Sequence, residues 1–118
     1  MFLMRFTERA YVDYSEEDVR QSFRSSVRLT FSNSHFDPAL GADLYNAYLD
    51  EYEYAEEVGF DGLMLNEHHN TPTCMGAAMN LEAAILARTT KRAKIVLLGN
   101  PLPILDNPLR LAEELAEI

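Results

Sequence analysis

The feature that most restricts this chain is an alternation. Short apolar runs of strand length trade places with longer amphipathic stretches, and turn formers sit at the junctions. After Pro38, the residues Leu44, Ala47, Tyr48, Ala55 and Val58 recur at three- and four-residue intervals, so they share one helical face. Asp50, Glu51, Glu53, Glu56 and Glu57 supply most of the other face. Gly59 stands where a left-handed residue ends a helix. Residues 60–65 then give an apolar run, bounded by Asn66, Glu67, His68, His69 and Asn70, which reads as a strand buried on both faces.

The cycle repeats. Asn80 is placed to cap a helix carrying Leu81, Ala84, Ile85 and Arg88 on one stripe, with Arg88, Lys91 and Arg92 suited to its negative end. Residues 93–98 form the next strand, and Gly99, Asn100 and Pro101 break it. Asn107 followed by Pro108 is a cap with proline at the first helical position, after which Leu109, Ala112, Leu115 and Ala116 continue a stripe. Residues 1–7 supply a first short strand, interrupted by Arg5. Residues 8–37 read as a long connection with marginal structure, holding an acidic helix-like start at Ser15, Glu16, Glu17 and Asp18 and strand-like alternation at Val27, Leu29 and Phe31.

Strand, helix, strand, helix, strand, helix implies parallel strands with helical crossovers, the α/β class. The last helix lacks a C-cap, a following glycine and a polar stop, so the expectation is a chain cut at its C-terminal end. Three such units leave apolar sheet edges uncovered. The competing expectation is a small open α/β interaction module that catalyses nothing.

Composition narrows the function. A length of 118 residues allows one domain. Nineteen acidic against ten basic side chains give a net charge of −9, which repels a phosphate backbone and excludes nucleic acid. No apolar run approaches the ~20 residues of a membrane span, and Arg5 falls too early for a signal peptide. Cys74 is alone and has no disulfide partner, which fits a reducing, cytoplasmic setting.

Two loops carry the candidate chemistry. Glu67, His68 and His69 follow the second strand, at the carboxyl edge where parallel α/β proteins build sites. Imidazole exchanges protons near neutral pH, and Glu67 is placed to orient a ring. The plainer alternative is one histidine bonded locally and the other solvated. A metal site is disfavoured, because adjacent histidines are a poor ligand pair and no further Cys or His lies at useful spacing. Gly99 and Asn100 close the third strand at the same edge, where glycine lets a flat ligand approach or simply makes a turn. Cys74 reads as a small structural residue, and Tyr45, Tyr48, Tyr52 and Tyr54 as packing on a helix. Neither phosphate-cradling glycine pattern occurs.

Gly59, Phe60 and Asp61, a short strand, and then Glu67, His68 and His69 resemble the signature of the bacterial luciferase-like monooxygenase family. The resemblance continues through residues 80–84, 94–103 and 107–114, and covers residues 32–118 well. It implies a TIM (β/α)8 barrel of which residues 1–118 are the N-terminal part, about three βα units. It implies reduced FMN and dioxygen acting on a small organic substrate, with a flavin reductase as possible partner. The alternative within the superfamily is a dehydrogenase using the deazaflavin F420.

By the same resemblance, His68 matches the active-site histidine that steers protons near the flavin, and Glu67 and His69 are its motif neighbours. Leu98, Gly99 and Asn100 match the strand end where the family sets a non-prolyl cis peptide against the ring. A homodimer through helices at about 80–90 and 108–118 is also implied. The phosphate site, expected from later strands, is not in these residues, so this portion by itself is expected to be inactive and to bind flavin weakly.

Overall fold

The computed structural model describes residues 1–22 and 31–118. Val27 and Leu29, two of the three alternating positions, lie outside the described residues. The elements are β1 (Met4–Phe6), α1 (Glu16–Ser22), a short 3-10 turn at Asn33–His35, α2 (Pro38–Glu57), β2 (Gly62–Asn66), α3 (Met79–Thr89), β3 (Lys94–Leu98), a second 3-10 turn at Leu102–Ile104, and α4 (Pro108–Glu117). The strands form one sheet in the order β1-β2-β3, parallel throughout, as the alternation requires. Register runs from Met4 opposite Gly62 on one side to Asn66 opposite Leu98 on the other.

Gly59 and Asn107 punctuate the helices as the sequence predicts, Asp37 adds a cap it did not predict, and one expected cap is an exception. Asp37 caps α2, its Oδ1 accepting from the Ala39 and Leu40 amides at 2.7 and 3.3 Å. Gly59 ends that helix with φ of +98°, and the Phe60 amide reaches back to the Ala55 carbonyl at 3.0 Å. Asn107 caps α4 through the Leu109 amide at 3.0 Å. The exception is α3. It starts at Met79, its N-cap position is Ala78, and no side chain caps it. Asn80 lies inside the first turn and instead donates to Glu114 Oε2 on α4 at 3.1 Å.

β2 is the buried centre, with Leu63 and Leu65 fully enclosed. Tyr52, Ala55, Met79, Ala83 and Leu86 complete the core around it. The helical stripes differ from the sequence expectation. On α2 the buried residues are Gly41, Tyr52 and Ala55, while Ala47 and Val58 are exposed. On α3 the sheet takes Met79, Glu82, Ala83 and Leu86, and the apolar stripe of Leu81 and Ile85 faces outward. On α4 only Leu111 is buried, and Leu109 and Leu115 are exposed. α3 carries apolar side chains on two faces, and the sheet occupies the face with the better fit, at Ala83 a side chain small enough for close approach, while α4 packs against α3.

Candidate active site

The three loops that leave the carboxyl ends of the strands meet at one edge of the sheet. Each contains a residue in the left-handed region: Arg9 after β1 (φ 53°), Asn70 after β2 (φ 52°) and Asn100 after β3 (φ 61°). Among the described residues these are the non-glycine positions with positive φ. Such conformations cost of order 1–3 kcal/mol and persist where surrounding contacts enforce them. Asparagine tolerates the region, whereas arginine gains nothing from it locally. Arg9 must therefore be held by what it touches.

It is held on every side. Arg9 is 1% exposed. Its Nε stands 2.7 Å from Glu82 Oε2 on α3, an ion-pair contact without hydrogen-bond alignment. Its terminal nitrogens donate to the Thr7 carbonyl at 3.2 Å, to Asn66 Oδ1 at 3.0 Å and to the Asn66 carbonyl. Gly76 makes room, since a Cβ there would overlap the guanidinium and stand 2.8 Å from Glu82 Oε1. Burial raises the Glu82 carboxyl above its ordinary range, and Arg9 opposes that rise. The pair ties β1, β2, the 74–76 loop and α3 into one polar knot.

The knot reaches His68. Asn66 Nδ2 donates to Glu8 Oε2 at 2.6 Å, and the same oxygen lies 3.5 Å from His68 Nε2. The His68 ring is one-third exposed, and its backbone amide donates to the Gly76 carbonyl at 3.1 Å. His68 therefore has a fixed backbone, a carboxylate neighbour and access to solvent. His69 turns the other way, half exposed, with Nε2 2.7 Å from Glu67 Oε1. The adjacent histidines face different carboxylates, and Glu67 pairs with His69 rather than His68.

His68 lines a cavity of about 460 Å3 walled by Tyr11, Phe31, Phe36, Tyr45 and Met75. Glu67 and His69 do not line it, and neither do Leu98, Gly99 and Asn100. Those last three stand at the same sheet edge, beside Glu67, whose Cβ would be 3.4 Å from a Cβ on Gly99. Leu98 is exposed, and Gly99 has φ of +148°. The expected cis peptide is not there: every described peptide bond is trans. The turn out of β3 comes from consecutive positive φ angles at Gly99 and Asn100.

Three tyrosines of α2 tether the edge. Tyr45 donates to the Met75 carbonyl, Tyr48 to the Ala10 carbonyl at 2.8 Å and Tyr52 to the Met64 carbonyl at 2.7 Å. Tyr54 is exposed. Cys74 is buried, 3.8 Å from an Arg9 nitrogen, and burial pushes its thiol above the ordinary value, so it is an un-ionised packing residue. Among the described residues no three His, Cys, Asp or Glu side chains stand together to hold a metal, and no helix is long and apolar enough to cross a membrane. Sequence reasoning missed Arg9, Glu82, Glu8 and Asn66. Their partners are 57 or more residues apart along the chain, and the one local signal was Gly76, a glycine with no turn to explain it.

Comparison with known families decides the class. The luciferase-like monooxygenase family model matches residues 28–118. The chain belongs to that family. Searches of curated proteins and of solved structures gave no match. Family membership makes the chain a flavin-type oxidoreductase domain in general terms, and the parallel three-stranded sheet agrees with part of such a fold.

Proposed function

We propose that this chain supplies the first three βα units of a TIM barrel that oxygenates a small organic substrate with reduced FMN and dioxygen, with His68 as the proton-handling side chain. The observation that carries the reading is the placement of His68. It leaves the carboxyl end of the buried strand β2, at a cavity mouth, with its Nε2 beside Glu8. Members of the luciferase-like family use flavin or F420 in general, and the residues fit one side of a flat ring system. At Gly99 a Cβ would meet Met79 Cε at 3.2 Å and Glu67 Cβ at 3.4 Å, so only glycine lets the turn sit this close to them, and Leu98 beside it offers an exposed apolar surface.

The phosphate of such a cofactor finds no partner in Arg9 at this edge. Arg9, its guanidinium, is fully engaged by Glu82, Asn66 and Thr7. When bound, the reduced flavin supplies the two electrons that activate dioxygen. The chain's part is positional. Glu82 holds Arg9, Arg9 fixes Asn66, Asn66 holds Glu8, and Glu8 keeps the His68 ring where Nε2 takes or returns a proton. Glu67, paired with His69, borders the Gly99 turn.

A cytoplasmic setting, a flavin reductase as electron source and a homodimer belong to the same proposal. For the dimer, support comes from the outward apolar residues Leu81 and Ile85 on α3 and Leu109 and Leu115 on α4. Sedimentation of the chain at increasing concentration tests it: a constant monomer mass contradicts the proposed helix pairing.

Fluorescence titration tests the cofactor, because FMN and F420 both emit. The expected result is FMN quenching with a dissociation constant weaker than about 1 μM, weakened further by His68→Ala. Quenching of F420 but not FMN would favour the deazaflavin dehydrogenase. Silence from both at about 1 mM contradicts the proposal.

A further inference from the structure

The geometry points to an uncharged, flat aromatic molecule as the occupant of the cavity beside His68, selected by a wall contributed by the segments on either side of residues 23–30. This deepens the reading of His68 as an active-site residue, because it names the class of molecule that His68 would face. The binding itself stands on the cavity.

Size comes first. A volume of about 460 Å3 lies within the range of small-molecule sites and exceeds what a few waters need. Shape comes next. Tyr11 and Phe36 stand with ring centroids 5.3 Å apart, and Phe31 and the His35 ring 4.9 Å apart, so much of the wall is aromatic. Phe36 still keeps about half its surface exposed.

Charge decides the class. Among the described lining residues there is no Lys, Arg, Asp or Glu. The hydroxyls are already used. Tyr11 Oη donates to the His35 carbonyl at 3.1 Å and accepts from the Asp37 amide at 2.9 Å. Tyr45 is committed to the Met75 carbonyl, and Thr71 pairs with Thr73 at 3.0 Å. The side-chain amides of Asn33 and Asn70 have no hydrogen bond to another described residue, and both are neutral. Among the described lining residues an anion would meet only His35 and His68 as groups able to carry positive charge, and their Nε2 atoms already face Asp18 at 3.8 Å and Glu8 at 3.5 Å, inside a chain of net charge −9. An aromatic molecule with one or two neutral polar groups loses nothing.

The wall is foreign to the sheet. The Tyr11 amide donates to the Pro72 carbonyl at 2.8 Å and Met75 donates to the Arg9 carbonyl at 3.0 Å, which docks the post-β1 segment on the loop after β2. Selectivity thus resides in residues 11 and 31–36 rather than in the strands.

Indole and indole-3-acetate share a ring and differ in charge, so they are the probes. Titrated into the whole chain and followed by calorimetry and by the His68 ring resonances, indole is expected to bind at millimolar or tighter concentration. Indole-3-acetate is expected to bind at least about tenfold more weakly. Ala77→Trp, at an exposed lining position, fills the cavity and is expected to weaken indole by at least about tenfold with an unchanged melting temperature. Phe36→Ala, a second variant, weakens it through lost stacking. No indole binding at its solubility limit, equal binding of both probes, or indifference to both variants would overturn the inference. If FMN perturbs His68 but indole does not bind, this inference fails alone. If indole binds and neither flavin does, the cofactor reading fails and the cavity assignment stands.

Discussion

The two flanks of the sheet are built on opposite terms. At the carboxyl edge, the chain satisfies its own groups: Arg9 is enclosed, Asn66 bonds on both sides of its amide, and three tyrosines close on backbone carbonyls. At the β3 and α4 flank, apolar side chains face outward. Leu109 and Leu115 are each about half exposed or more, and a second cavity of about 440 Å3 lies between β3, α3 and α4. Buried polar networks fix one arrangement of their members, while an uncovered apolar face fixes nothing until something covers it. One region satisfies its own polar groups and carries the proposed site. The other presents apolar side chains outward.

The sharpest way to break the contrast is through the buried pair. Glu82→Met leaves a guanidinium enclosed without a counter-charge and is expected to cost about 3–5 kcal/mol in urea unfolding. Glu82→Met combined with Arg9→Met should recover most of that loss, because both charges leave together. If the single variant unfolds at the same urea concentration as the parent chain, the carboxyl edge is not organised by this pair.

Gly76→Ala is next. A methyl group there overlaps the Arg9 guanidinium, so the cost is about 1–3 kcal/mol, and the His68 amide that donates to the Gly76 carbonyl loses protection from hydrogen exchange. A smaller effect comes from Asn100→Ala, whose φ of 61° asks a left-handed backbone of an alanine, at about 1 kcal/mol. The same substitution at Asn46, in the middle of α2, should be neutral or mildly stabilising by helix propensity.

The pH dependence divides the two carboxylates. Glu56 accepts from the Lys91, Arg92 and Ala93 amides, which lower its pKa. Its contribution is present above the ordinary carboxylate value and is lost as acid takes the pH through the depressed one. Glu82 is raised by burial, so its neutral form contributes below the ordinary value and that contribution fades as pH rises through the elevated one. Unfolding measured against pH should therefore show a shallower acid-side slope in Glu56→Gln, and a slope equal to the parent's would contradict the role of those three amides.

How far the sequence was legible follows from the range of each interaction. Gly59 and Asn107 act within a few residues, and the helix ends they mark are where they were expected. β2 was legible because burial on both faces leaves a continuous apolar run. The helix faces were not, since Leu81 with Ile85 and Met79 with Ala83 and Leu86 are both plausible stripes, and only the sheet chooses between them. His68 was legible as a candidate from its place after β2. Its true neighbour, Glu8, was not, because an ambiguous connection carried it and the contact spans 60 positions.

Amide and imidazole chemical shifts of the whole chain during an FMN titration test the central claim most directly. The account predicts movements confined to His68, its neighbours Glu67 and His69, and Leu98 to Asn100, saturating together, with the core amides of Leu63 and Leu65 still. Movements centred instead on α1 or α4, with His68 unmoved, would contradict it.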